Sequence, residues 1–111
     1  MSQIETFEAM LVRGQDSEML RYTLGNAYLG EKRYPEAIAH LQKAVELKPD
    51  YSAAWRQLGR ALAAARQLME AKAAFDQGEI VAEANGDKQA AKEINVFRKR
   101  VIKALAEAPA E

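Results

Sequence analysis

Leu24-Gly25-Asn26-Ala27 returns 34 residues later as Leu58-Gly59-Arg60-Ala61, and this doubled tetrapeptide decides the fold. The echo continues at the same interval: Ala37 aligns with Ala71, Leu41 with Phe75, and Ala44 with the equally small Gly78. Self-similarity at a fixed period of this length marks a stack of like units rather than one irregular core. Within each unit the glycine lets a first helix approach a second, which answers with Ala37 or Ala71 at the tightest crossing. A large side chain at either place would part the helices and lose dispersion contacts along the pair.

Working outward, hydrophobic spacing and stop signals predict six helices. The first covers about 3–13, with Ile4, Phe7 and Leu11 on one face, and Gly14 stops it. The second, about 17–30, is capped by Asp16 or Ser17 and buries Leu20, Leu24, Ala27 and Tyr28. The third opens at Tyr34-Pro35-Glu36, carries the stripe Ile38, Leu41, Ala44, Val45, and ends at Pro49. The fourth, about 52–65, buries Trp55, Leu58 and Leu62. The fifth, about 68–84, buries Ala71, Phe75, Gly78 and Val81, and Asn85-Gly86 provides a left-handed stop. The sixth, about 87–106, aligns Ala90, Ile94, Phe97, Val101 and Leu105; the tail Ala108-Pro109-Ala110-Glu111 is expected to fray.

Composition sets limits on function. The 111 residues suffice for one domain with a modest core, and Ala, Leu, Glu, Lys, Arg and Gln predominate, which is helical usage. Sixteen basic residues balance sixteen acidic ones, so no net field draws the chain to nucleic acid or membrane. The absence of cysteine removes disulfides, thiol catalysis and thiolate metal sites. Glu5, Glu8, Asp16 and Glu18 interrupt the first twenty residues, which therefore do not read as a secretory signal, and no apolar run reaches membrane-spanning length. The cytoplasm is the default location. The neutral total conceals an acidic N-terminal end, residues 1–18, and a basic C-terminal end with Lys88, Lys92, Arg98, Lys99, Arg100 and Lys103.

These residues resemble the tetratricopeptide repeat, whose pattern is Trp-x2-Leu-Gly-x2-Tyr followed by Ala, an aromatic, Ala and a closing Pro. The first copy, 18–51, supplies Leu24, Gly25, Tyr28, Ala37, Leu41, Ala44 and Pro49; the second, 52–85, supplies Trp55, Leu58, Gly59, Ala71 and Phe75. Arg21 stands at the Trp position of the first, Leu62 at the Tyr position of the second, and Glu83 at the closing Pro. Residues 1–14 resemble half a preceding unit, and 87–106 the solvating helix that covers the last apolar face of such arrays. The resemblance implies a single all-α domain over 1–111, a short right-handed superhelix. Two full units fall short of the three or so an array usually needs, so the flanking helices are structural or the protein self-associates.

Family members hold extended or helical peptides in a concave groove lined by the first helix of each pair. That implies a groove of Met19, Tyr22, Asn26 and Leu29 from the first unit and Ala53, Arg56, Arg60 and Ala63 from the second. Arg56 and Arg60 share a helical face and suit a carboxylate; the plainer alternative leaves both solvated or tied to Glu18, Glu31 or the tail. The subclass that clamps chaperone tails needs two Lys, an Arg and two Asn; only Asn26 matches, with Tyr22, Gln57, Asp87 and Ala91 elsewhere in the pattern. His40, the sole histidine, is expected to face outward, with no second imidazole or thiol for a metal. No phosphate loop, nucleophile–base pair or carboxylate dyad stands out, so no cofactor, metal or catalysis is expected.

The expectation is a non-enzymatic adaptor that binds a protein or peptide, acidic in character, through its groove. Two rivals come from other classes: a structural module that homo-oligomerises acidic end to basic end, and a nucleic-acid accessory acting through its last helix. Lys88, Lys92, Lys99 and Lys103 line one outward face of that helix, and its one aromatic, Phe97, is on the buried side, so it reads first as a solvated cap.

Overall fold

The computed structural model describes residues 2–108, so the fraying expected of the tail lies outside the described residues from position 109 onward. Six helices follow in order, and no strand occurs among the described residues: α1 (Gln3–Val12), α2 (Glu18–Gly30), α3 (Tyr34–Leu47), α4 (Ser52–Ala64), α5 (Leu68–Ala84) and α6 (Lys88–Glu107). Three begin with side-chain caps, in which Ser2, Ser17 and Asp87 accept hydrogen bonds from the backbone N–H groups of Glu5, Leu20 and Ala90.

Four helix ends share one turn. At α1 the N–H of Gln15 donates to Met10 and that of Gly14 to Leu11; at α5, Asp87 donates to Ala82 and Gly86 to Glu83. The same pair of bonds, Arg33 to Tyr28 with Lys32 to Leu29 and Gln67 to Leu62 with Arg66 to Ala63, closes α2 and α4. Each satisfies two end carbonyls and needs one residue in the left-handed region. Gly14 and Gly86 adopt it freely, whereas Lys32 and Arg66, at φ 60° and 64°, adopt it with a side chain in place.

Neighbouring helices pack as hairpins, α2 on α3 and α4 on α5, with α6 laid over α5 and α1 against α2. α2, α4 and α6 touch in succession while α3 and α5 do not meet. The touching helices form the shorter, inner arc, and their free side is the concave face. The whole is a slab of 44 × 35 × 19 Å.

The core is apolar throughout, with Leu24, Leu41, Leu58, Phe75 and Ile94 fully enclosed and no polar residue buried among the described ones. The repeat glycines act differently from expectation. A Cβ on Gly25 would stand 2.4 Å from Cγ of Leu41, and one on Gly59 would stand 2.3 Å from Cε1 of Phe75. The glycines therefore make room for a large side chain from the second helix, whose atoms lie nearest each Cβ position; Ala37 and Ala71 are buried as well. His40 also departs from expectation. It points inward, stacked on Tyr28 with centroids 5.5 Å apart, because α1 lies across that side of α3. Arg21 Nη1 lies 3.1 Å from His40 Nδ1, and Glu8 of α1 lies 3.0 Å from Nε2.

Candidate functional site

The eight expected groove residues sit along α2 and α4, and the structure divides them. Met19 stands at the rim, 70% exposed. Tyr22 is half-buried, its ring 5.0 Å from that of Tyr51 at the start of α4. Burial raises the Tyr51 phenol above its usual value, so it remains a neutral hydroxyl at neutral pH. Asn26 and Arg60 are joined through one intermediary: Gln57 Nε2 donates to Asn26 Oδ1 at 2.8 Å, and Arg60 Nη1 donates to Gln57 Oε1 at 3.1 Å. Leu29, Ala53 and Ala63 are half-buried.

Arg56 and Arg60 do not act as a pair. Arg56 Nη1 donates to Glu93 Oε2 at 2.6 Å and ties α4 to α6. Neither Glu18 nor Glu31 holds it. Arg60 reaches α6 one turn further along, its guanidinium 5.0 Å from the centre of the Phe97 ring, and Arg100 stands over the same ring at 5.5 Å. Phe97 in turn stacks on Phe75 with centroids 6.0 Å apart. A half-buried aromatic with its face turned to guanidinium groups is a favourable electrostatic arrangement.

Next to this ring lies a cleft of about 260 Å³ between α4 and α6, lined by Ala63, Leu68, Phe75, Phe97, Val101 and Ala104 with Arg60, Arg66 and Arg100. Sequence reasoning assigned neither Arg66 nor Arg100 to a site, and Glu93 escaped it too. The signal for Arg66 was its place 34 residues after Lys32, at the equivalent hairpin turn. Nothing comparable marked Arg100 or Glu93, because α6 leaves the repeat pattern. Lys88, Lys92, Lys99 and Lys103 are exposed, and α6 carries no second aromatic. Among the described residues no three His, Asp or Glu side chains gather as a metal would require, and no helix is long and apolar enough to cross a membrane.

Comparison with known proteins agrees with the geometry. A family model described as TPR repeat matches residues 21–65. A TPR repeat-containing protein of Pseudomonas aeruginosa is 45% identical over 101 residues, covering 91% of this chain and 96% of its own. A solution structure of a Bordetella parapertussis protein has a TM-score of 0.82 at 36% identity, over 96% of this chain and 92% of that one. The crystal structure of the Sgt2 TPR domain from Aspergillus fumigatus has a TM-score of 0.76 at 25% identity, over 97% of this chain and 73% of that one.

Proposed function

This chain belongs to the tetratricopeptide-repeat family, and on that premise we propose that it is an interaction module holding a segment of a partner protein against α2 and α4. Domains of this kind generally mediate protein–protein contacts. One observation carries the reading to this particular face: Asn26, Gln57 and Arg60 form a polar ladder across the two helices, flanked by half-buried Tyr22, Leu29, Ala53 and Ala63. Directional polar groups set among accessible apolar ones are what a peptide requires, the first to fix its register and the second to supply burial. In this reading residues 1–111 act as one cytoplasmic, non-enzymatic adaptor, with α1 and α6 closing the ends of the two hairpins.

Panning a random peptide library on the folded protein tests it. Selected peptides should lose at least about tenfold in affinity when Tyr22→Ala is combined with Asn26→Ala, with helical circular dichroism unchanged. Equal affinity for the variant and the wild type would move the binding site off this face.

A further inference from the structure

The chain has eight arginines, and the described residues sort them sharply. Arg21 pairs with Asp16, Arg33 with Glu31 and Glu36, Arg56 with Glu93, and Arg98 with Asp76 and Glu79. Among the described residues four arginines make no ion pair: Arg13, Arg60, Arg66 and Arg100. Three of those four line the single cleft between α4 and α6, where no Asp or Glu joins them. The cleft thus sets three unpaired arginines around an apolar floor.

We propose that this cleft binds an acidic residue that neighbours a large apolar side chain in a partner's segment. The carboxylate lies among Arg60, Arg66 and Arg100, and the apolar group rests on Ala63, Leu68 and Ala104. Guanidinium groups suit carboxylates because their N–H donors match the two oxygens in plane. The low-dielectric floor strengthens such a pair over one in open water. A nucleic-acid strand fits less well: Phe97 is already occupied by Phe75 and two guanidinium groups, so no base has a free ring to stack on.

The proposal deepens the groove reading, since Arg60 and Ala63 belong to both places, but it adds two arginines that the groove lacks. Arg66 comes from the α4–α5 turn and Arg100 from the closing helix. The ligand's charge is thereby read at the C-terminal end of the concave face, and Arg56, neutralised by Glu93, is not its reader.

The probe is the capped tetrapeptide acetyl-Gly-Phe-Asp-Gly-amide, titrated into isotopically labelled protein and followed by amide and arginine side-chain resonances. Saturable shifts are expected at Ala63, Leu68, Phe97, Arg100 and Ala104, and binding should weaken about tenfold when Asn replaces Asp in the peptide. The double variant Arg66→Asn with Arg100→Gln should weaken it to a similar degree. Asn is chosen at position 66 because it tolerates the left-handed backbone there, and an unchanged melting curve verifies the fold. Equal binding of the Asn peptide, equal binding by the double variant, or stronger shifts of the same amides by an oligothymidylate would each overturn the assignment. Shifts confined to Tyr22, Asn26 and Ala53 would also overturn it, and would leave the groove reading in place.

Discussion

Gly59 lies directly beneath the ring of Phe75, so close that a Cβ on the glycine would stand 2.3 Å from Cε1 and 2.5 Å from Cδ1. Phe75 is 1% exposed and stacked on Phe97, so its ring can admit a methyl group only by disturbing that stack. Gly59→Ala should therefore lower stability by about 2 kcal/mol or more, with Gly25→Ala similar through Leu41. Gly30 is the control, since a Cβ there meets nothing within 4 Å, and Gly30→Ala should leave stability unchanged or raise it by about 0.5 kcal/mol. Thermal melts of the three variants decide the matter, and a Gly59→Ala melt within a degree or two of wild type would refute this packing account.

His40 supplies a pH dependence with a definite sign. Its side chain, 13% exposed, is enclosed by Tyr28 and Arg21 of α2 and Glu8 of α1, with Asp16 beyond Arg21. Arginine can only donate, so Nδ1 accepts and the imidazole is held neutral. Burial keeps its pKa below the usual 6.5 despite Glu8 nearby. The unfolded chain takes up the proton near pH 6.5 while the folded chain resists, so stability is full above that point and declines as pH falls toward the lower folded value. Denaturant midpoints between pH 7.5 and pH 5 should show this slope, and His40→Gln should flatten it. The Asp16 carboxylate, held down by its hydrogen bond from Arg21, acts in a separate window, its contribution disappearing only as pH falls below about 3.8.

Arg56 and Glu93 join α4 to α6 with side chains that are 25% and 41% exposed. At that exposure the pair should contribute about 0.5–1 kcal/mol. Arg56→Glu opposes two carboxylates and should destabilise the fold by at least that much, while adding Glu93→Arg should restore most of the loss. A double-mutant cycle in urea measures the coupling. Zero coupling would mean that this pair does not help to hold α6, leaving the Arg98 pairs with Asp76 and Glu79 and the apolar contacts to do so.

Removing α6 should be far more damaging. A chain ending at Gly86 uncovers Phe75, which Phe97 had covered, and the groove over Gly78 into which Ile94 fits. Such a fragment should aggregate or associate, as arrays do without a solvating last helix. A monomeric, fully helical fragment by light scattering and circular dichroism would show α6 to be an appendage.

Sequence alone placed all six helices to within a residue or two, because caps, Pro49 and the glycines punctuate the chain locally. It found that Gly25 and Gly59 mark close packing, since the repeat displays them twice, but not what they pack against. Which side chain enters a gap depends on the rotation of one helix about another, and periodicity does not carry that. His40 was misplaced for a related reason: the repeat pattern assigns faces within a hairpin, and α1 approaches from outside it. At the candidate groove, the residues on α2 and α4 were legible because the repeat register is fixed. Arg56's partner was not, since Glu93 is 37 residues away on a helix that abandons the register. Left-handed backbone at Lys32 and Arg66 had no cue either, because long side chains rarely adopt it.

Lys32 and Arg66 close identical turns at identical positions, and Trp55 Nε1 anchors the intervening connector by donating to the Pro49 carbonyl at 2.8 Å. Each hairpin thus begins and ends on joints that the molecule already contains. A duplication of residues 18–51 inserted after Tyr51 would introduce a single new peptide junction, Tyr51 to Glu18, at a helix start where an acidic residue is favoured by the dipole. Growth by whole units is open to this chain without inventing any new turn, and an enlarged array would lengthen its inner arc while leaving the two closing helices as they are.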